Sequence, residues 1–219
     1  MQLPFGSFTP DQPPVEVTVN AHLSDLADLS TPITLTVNQA GNSSYNGYLR
    51  NSGTGTGGIT GGPLTLTDPS GRRVLAQRTT GGRYRLAPHH HAVLVRETGQ
   101  SASGVVAWTP DGAVLTLDGQ PFRGRLDVVT ANGALTAVNV VELESYLQGV
   151  LKDEIPAGWP AEASKAMAIA ARTYAVYQRV QNPSGLFHLR ATTASQVYKG
   201  ARGEDARTNW AVQATRGQI

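Results

Sequence analysis

The chain has 219 residues, 40% of them hydrophobic and 16% charged, which is ordinary for one large or two small globular domains. Its net charge of +2 is too small for nucleic-acid binding by bulk electrostatics, and no stretch approaches the ~20 apolar residues of a membrane span. The absence of cysteine excludes a disulfide scaffold and a thiolate zinc site.

The N-terminal stretch MQLPFGSFTPDQPP has neither the charged start nor the apolar core of a signal peptide. We interpret it as the start of a mature secreted protein or of a trimmed chain. Either interpretation fits an extracytoplasmic location, in the cell envelope or secreted.

The N-terminal half has the pattern of short strands separated by turns. The 24 Gly and 13 Pro residues make the chain turn-rich, which is typical of many short strands. The dipeptides Asp111-Gly112 and Asn132-Gly133 predict hairpin turns. We therefore expect residues 1–121 to form a β-rich sandwich or barrel-like module. The candidate strands are Val15–Val19, Ile33–Val37, Leu64–Thr67, Arg83–Leu86, Ala92–Arg96, Val105–Trp108 and Ala113–Leu117.

Two motifs in this half admit a functional interpretation. Residues Gly53–Gly58 match the GxGxxG phosphate-binding pattern by letter, but glycines and a proline follow where a helix is required, which favours a loop. The run His89–His91 could bind a metal. However, adjacent side chains point in different directions and no other ligand cluster supports them, so we favour an exposed loop.

A helix with an acid at its end follows this β-rich part. Leu143, Tyr146, Leu147, Val150 and Leu151 recur at helical spacing and form one apolar stripe. One further step along that face reaches Glu154. A carboxyl group against an apolar stripe is poorly solvated, which disfavours its charged form and would raise its pKa. This is the preparation that a general acid needs at neutral pH; the alternative is a helix-end surface carboxylate.

A second helix is predicted from Pro160, which suits a first helical position, to the stop signal Asn182–Gly185. Its alanines make it slim, so we expect it to pack closely on the first helix through an Ala-rich face. Arg172 and Thr173 are polar exceptions. The predicted apolar stripe is Ala163, Met167, Ala170, Tyr174 and Tyr177.

Two sequence blocks together resemble the SpoIID/LytB family. The first is YLQGVLKDEIPAGWPAEASKAMAIAARTYAVY, and the second is TTASQVYKGARGEDARTNWAVQATRGQI. The resemblance covers residues 122–219 and implies a core of two helices and a strand there. Together with the strand pattern of the first half, it predicts an α+β protein in which a β-rich N-terminal half precedes this core. It also implies a cell-wall protein that acts on peptidoglycan glycan strands, since the sporulation members are lytic transglycosylases and other members modify an amidase.

The resemblance places the family's catalytic glutamate at Glu154. Glu144 is expected on the polar outer flank of the first helix, as a solvated surface carboxylate. Trp159 is either a core anchor or a sugar platform, and a structural role tying the helix to backbone carbonyls or to Glu204 is favoured for Arg172. The candidate substrate-binding residues are Trp159, Lys165, Arg172, Thr193, Ser195, Gln196 and Tyr198.

The segment Thr192–Tyr198 is interpreted as a short polar strand with a carbohydrate-like hydrogen-bonding surface, or as an ordinary half-exposed strand. Ala191 and Ala194 stand where some family members place Cys or His near zinc. No metal and no cofactor are therefore expected, although His188 remains. Family members continue beyond the position of Ile219, so we interpret the family domain as C-terminally incomplete here.

The mechanism implied by the resemblance is non-hydrolytic cleavage of the MurNAc–GlcNAc bond, with Glu154 as general acid and then base and Glu204 as the next candidate. The sugar's own 6-hydroxyl closes a 1,6-anhydro end, so no second carboxylate is needed, unlike in ordinary glycosidases. The alternative is a non-catalytic cell-wall-binding or amidase-enhancing module. The expected partners are glycan strands and a cell-wall amidase, with no nucleic acid.

Overall fold

The computed structural model of the protein describes residues 34–38, 48–51, 63–79, 83–109, 114–117, 120–131, 134–156 and 158–219. These parts hold twelve strands followed by two α-helices, a thirteenth strand and a third α-helix. The α+β class with a β-rich first half, predicted from the sequence, is therefore confirmed. The predicted strand Val15–Val19 and the glycine-rich stretch 53–58 lie outside the described residues.

Seven strands form the larger sheet, in the order β13-β1-β12-β11-β8-β3-β4. All neighbours are antiparallel except β1 and β13, which run parallel. The strands β11 and β12 pair from Ala131↔Ala134 outward, which confirms the hairpin predicted from Asn132-Gly133. The strands are β1 (Thr34–Asn38), β3 (Leu64–Thr67), β4 (Val74–Arg78), β8 (Gly104–Trp108), β11 (Arg125–Ala131), β12 (Ala134–Glu142) and β13 (Leu189–Arg190).

The second sheet has six strands, in the order β10-β9-β2-β5-β6-β7. The next described strand after β8, β9, belongs to this second sheet, so β8 and β9 do not pair as a hairpin. The predicted turn residues Asp111 and Gly112 themselves lie outside the described residues. A turn dipeptide specifies only the local reversal, not the sheet that the next strand enters. The strands are β2 (Tyr48–Asn51), β5 (Arg83–His89), β6 (Ala92–Val95), β7 (Gln100–Ala102), β9 (Leu115–Leu117) and β10 (Gln120–Phe122).

The two sheets pack face to face through alternating apolar residues. In the larger sheet Val105, Ala107, Leu126 and Val128 are buried, while their alternate neighbours face outward. Strands β6 and β5 of the second sheet contact β11, β8 and β12 of the first. Strands from both sides of residue 121 thus share one sheet, and the predicted division into modules 1–121 and 122–219 stays a prediction.

The helices are α1 (Leu143–Glu154), α2 (Ala161–Gln181) and α3 (Ala206–Ala214), and each contacts the other two. Both helices predicted from the sequence are confirmed, and all five residues of the predicted α1 stripe are buried. Within the described part of the chain, no helix is long and apolar enough to cross a membrane.

The predicted stripe on α2 is wrong in its residues. Ala170 and Tyr177 are exposed, and the other three predicted members are only partly buried. The buried face of α2 is Ala-rich, as expected, but it lies to one side of the predicted stripe. It includes Arg172, whose charge is neutralised by an ion pair and which can therefore be buried. The buried residues are Ala168, Ala171, Arg172, Ala175 and Val176.

Candidate functional site

Glu154 is the last residue of α1. The helix ends there because Ile155 precedes Pro156 and adopts an extended conformation, with φ −118° and ψ 120°. The Glu154 side chain is half-buried, and among the described residues it makes no hydrogen bond or ion pair. The carboxyl end of a helix carries partial negative charge, so this position gives a carboxylate no dipole stabilisation.

Glu154 lies near enough to Tyr146 to act on its phenol electrostatically, and Tyr146 in turn contacts Gln196. The Tyr146 hydroxyl donates to Gln196 Oε1 over 3.1 Å, and both residues are buried. Burial raises the pKa of the Tyr146 phenol, and the nearby Tyr198, Tyr174 and Glu154 raise it further. The phenol therefore remains a proton donor at neutral pH. Because its carbonyl oxygen is engaged, Gln196 can direct its amide N–H groups elsewhere.

The second motif block, which begins at Thr192, contacts α1 near the end that carries Glu154. The Lys199 N–H donates to Gly149 O over 3.3 Å, and the Lys199 ammonium pairs with Asp153 at 2.8 Å. The two motif blocks, separate in sequence, therefore meet on one helix. The strand predicted at Thr192–Tyr198 is wrong, because a turn from Thr192 O to Ser195 N at 2.9 Å replaces it. The predicted alternation of its side chains does not apply.

Two motif glycines allow this close approach. A Cβ at Gly149 would lie 2.5 Å from the Tyr198 ring and 2.8 Å from Gly200 O. At Gly200, which has φ +57°, a Cβ would lie 2.2 Å from Pro121 O. Side chains at either position would therefore push the second block away from α1 and from β10.

Tyr198 is a packing residue in this arrangement. It is 5% exposed, its ring centroid lies 4.9 Å from that of Tyr146, and its hydroxyl donates to Asn139 Oδ1 over 2.8 Å. The Asn139 amide in turn donates to the carbonyls of Arg123 and Arg125. Burial raises the pKa of the Tyr198 phenol, and the nearby Glu204 raises it further. The predicted substrate contact of Tyr198 does not fit its burial.

Arg172 and Glu144 form a buried ion pair near the opposite end of α1. The guanidinium donates to both carboxylate oxygens at 2.9 and 2.7 Å, and also to the carbonyls of Val212 and Gln218. Its side chain is 0% exposed and that of Glu144 is 12% exposed. The predicted tie to backbone carbonyls is present, but the carboxylate partner is Glu144 instead of Glu204.

Two predictions are corrected by this ion pair. Glu144 is not a solvated surface carboxylate, because it neutralises the buried Arg172. Arg172 is inaccessible to a substrate in this structure. Glu204 pairs instead with Arg123, which donates to both of its carboxylate oxygens, from Nη2 to Oε2 over 2.8 Å.

The remaining predicted residues are distributed over the surface. Trp159 is 47% exposed, so it is not a core anchor and its indole is available as a platform. Lys165 pairs with Glu162 at 2.8 Å and lies over the exposed Trp210 ring, 5.1 Å from its centroid. Thr193 is exposed, whereas Ser195 is half-buried and its hydroxyl accepts from Arg190 N over 3.1 Å. Of the predicted residues, Gln196 is the one that contacts Tyr146, the tyrosine on which Glu154 acts electrostatically.

The histidines show no metal arrangement. His89 is the exposed last residue of β5, and His90 and His91 form the exposed turn to β6, where His90 adopts φ 55°. Among the described residues, no three His, Asp or Glu side chains come close enough to hold a metal ion. Burial and the nearby Arg179 lower the pKa of His188. The absence of a metal remains a prediction.

Three residues of the site were missed by reasoning from the sequence. Tyr146 was assigned to the core without a role for its hydroxyl, and Trp210 and Asn139 were not considered. A signal for Asn139 exists, because an asparagine at an inward position of the β12 alternation needs hydrogen-bond partners. For Trp210 the sequence offers no comparable signal.

Residues 131–219 match the family model SpoIID, described as stage II sporulation protein. An uncharacterized protein of Brachyspira hyodysenteriae is 40% identical over 120 residues, which cover 54% of this chain and 31% of that protein. The amidase enhancer of Bacillus subtilis is 40% identical over 73 residues, covering 33% of this chain and 9% of that protein. The chain thus spans under a third of either relative's length. The search of solved structures found no significant match. The family match and the similarity to the amidase enhancer support the assignment of residues 131–219 to the SpoIID family.

Proposed function

We propose that the protein acts on the bacterial cell wall outside the cytoplasm, as a lytic transglycosylase that cleaves the MurNAc–GlcNAc bond of peptidoglycan glycan strands. The observation that carries this proposal is the state of Glu154. The other carboxylates of α1 form ion pairs, Glu144 with Arg172 and Asp153 with Lys199. Glu154 is half-buried at the helix end and, among the described residues, has no ion-pair partner.

In the proposed reaction the Glu154 carboxyl group first gives its proton to the glycosidic oxygen, and the bond from C1 to that oxygen breaks. The positive charge that develops at C1 is then captured by the 6-hydroxyl of the same MurNAc ring. The Glu154 carboxylate accepts the proton of that hydroxyl, which regenerates the acid and leaves a 1,6-anhydro end. One carboxyl group serves both steps, so neither a second acid nor an activated water is required.

The neighbours of Glu154 suit a sugar substrate. The Gln196 amide is oriented by its bond from Tyr146 and can donate to an acetamido or hydroxyl oxygen. Thr193 and Trp159 are exposed on segments that adjoin the site in sequence, and a half-exposed indole is a common surface for stacking a sugar ring. Lys165 belongs to the proposed substrate contacts as well, through its position beside Trp210.

The test is mass spectrometry of purified glycan strands digested with the full-length protein. Anhydro-MurNAc ends are expected, because only intramolecular capture by the 6-hydroxyl produces them. Reducing MurNAc ends would instead indicate hydrolysis, and no new ends would contradict the proposed chemistry.

A second candidate function is stimulation of a cell-wall amidase without glycan cleavage, favoured by the similarity to the Bacillus subtilis amidase enhancer. This function needs the surface around α1 but not the acid. An amidase assayed on purified walls, with and without this protein, separates the two. Stimulation that survives Glu154→Gln, together with no anhydro ends from the unmodified protein, would establish the second function and reject the first.

A further inference from the structure

A pocket of about 480 Å³ lies on the outer face of the larger sheet, the face turned away from the second sheet. Its lining comes from β3, β8, β11 and β12, from the turn between β3 and β4, and from Leu186 in the loop after α2. The volume is within the range of small-molecule sites. No residue of α1 or of the segment 189–204 appears in this lining, so the pocket is separate from the Glu154 site.

The floor of this sheet-face pocket offers no free strand edge. Strand β8 is hydrogen-bonded to β3 on one side and to β11 on the other, and β11 is also paired with β12. A peptide could not extend the sheet here, since the backbone groups of these strands are already used. Recognition in the pocket must therefore come from side chains.

The side chains that line the pocket combine an aromatic ring with a planar polar pair. Trp108 is 43% exposed at the end of β8. Beside it, Arg125 donates from Nε and Nη2 to the two oxygens of Asp127, at 3.0 and 3.2 Å. Gly104 carries no side chain above the floor, where a Cβ would lie 3.1 Å from Pro69 Cγ. The pocket thus has an apolar platform, a flat floor and a polar wall.

The charges of this wall select a neutral ligand. Arg125 and Asp127 neutralise each other, so the pocket has no net charge with which to attract an anion or a cation. A guanidinium has five N–H donors and this pair uses two, while the carboxylate oxygens can accept further bonds. Adjacent donors and acceptors match vicinal hydroxyl groups, and an indole matches the apolar face of a sugar ring. We propose that the sheet-face pocket binds one neutral sugar residue of a glycan strand.

This second sugar site is independent of acid chemistry at Glu154. Two sites on one chain that bind the same glycan strand would raise the apparent affinity for long strands above that for short ones, because the second contact is intramolecular. The pocket would then hold the strand while the site near α1 acts on it.

Fluorescence of Trp108 tests the proposal directly. The chain has three tryptophans, at positions 108, 159 and 210, so Trp108 is the only indole left in a Trp159→Phe/Trp210→Phe variant. Titration with the tetrasaccharide of N-acetylglucosamine is expected to change its emission saturably. An unchanged emission up to the solubility limit of the tetrasaccharide would overturn the proposal, as would a response to an uncharged hexapeptide but not to the sugar.

Calorimetry with matched variants completes the test. Trp108→Ala is expected to weaken tetrasaccharide binding roughly three- to tenfold, the effect of losing one aromatic contact. Tyr177→Ala, which removes an aromatic ring of similar exposure outside the pocket, is expected to change the affinity less than twofold. Equal losses in both variants, or none in Trp108→Ala, would overturn the proposal. Thermal unfolding of each variant checks that the fold is retained.

Discussion

Helix α1 carries a glutamate near each end, and the two are used in opposite ways. Near its start, Glu144 is almost fully buried and neutralises Arg172, which also binds the carbonyls of Val212 and Gln218 and so joins α2 to the end of the chain. At its last residue, Glu154 is half-buried and, in the described part of the chain, unpaired. The same residue type is structural where a cation reaches it and remains available for chemistry where none does.

The largest expected effect comes from removing the carboxyl group of Glu154, at the last residue of α1. We expect Glu154→Gln to reduce the formation of anhydro ends by about 10²–10⁴-fold or more, because one group serves as both acid and base. Glutamine keeps the size but has no transferable proton, so stability and glycan binding are expected to change little. Mass spectrometry of digests and thermal unfolding measure the two effects. Retained activity would assign the acid elsewhere, and an unfolded variant would show that Glu154 is structural.

Near the start of α1, where Glu144 is paired with Arg172, the expected effect is on stability. We expect Arg172→Met to lower the free energy of unfolding by about 3–5 kcal/mol, because Glu144 is then buried without its cation. The double variant Glu144→Gln/Arg172→Met should lose less than the sum of the single variants, since no uncompensated charge remains. Urea unfolding measures both.

The control for this prediction is Lys165→Met, which breaks the more exposed pair with Glu162 and should cost no more than about 0.5 kcal/mol. A similar loss in Arg172→Met and Lys165→Met would contradict the difference between buried and exposed pairs. Arg172→Met should also lower activity only in proportion to the folded fraction.

Between the two glutamates, the middle of α1 depends on Gly149. Alanine there would improve helix propensity by roughly 1 kcal/mol. We nevertheless expect Gly149→Ala to destabilise the protein by about 1–3 kcal/mol, because the added methyl group meets the Tyr198 ring and Gly200 O. The half-exposed neighbour Gln148 is the control, and Gln148→Ala should have little effect. A Gly149→Ala variant of unchanged stability would show that the second motif block is free to shift.

These differences show what the sequence could reveal. The α1 stripe was predictable because five apolar residues at helical spacing face one core. On α2 the same rule failed, since its packed face contains a buried arginine that hydrophobicity patterns place outside. The role of Glu144 was missed for the related reason that its partner lies 28 residues away, on another helix. Pairing across elements is not encoded in local periodicity.

The candidate site was predicted through motifs more than through geometry. The resemblance placed Glu154 and Gln196 in separate blocks. In the structure Tyr146 donates a hydrogen bond to Gln196 and is affected electrostatically by Glu154. The same resemblance could not tell that Tyr198 and Arg172 are buried, because motif residues are retained for packing as well as for chemistry. Turn residues such as Thr192–Ser195 resembled a strand because their polar alternation looks the same when written as letters.

The smallest expected effect is on the pH dependence of stability, through His188. Burial, with the nearby Arg179 adding to it, holds the pKa of His188 below its usual value of 6.5.

The sign of the His188 contribution follows from which state binds more protons. Just below pH 6.5 the unfolded chain protonates His188 while the folded chain does not, so stability rises with pH in this window. The contribution is complete above about pH 6.5 and is lost as pH falls toward the folded pKa. We expect His188→Gln to flatten the stability curve between pH 5 and 7 while leaving the acid limb below pH 5 unchanged, as measured by urea unfolding at half-unit intervals. If the slope of stability against pH between pH 5 and 7 persists in His188→Gln, another titratable group causes it.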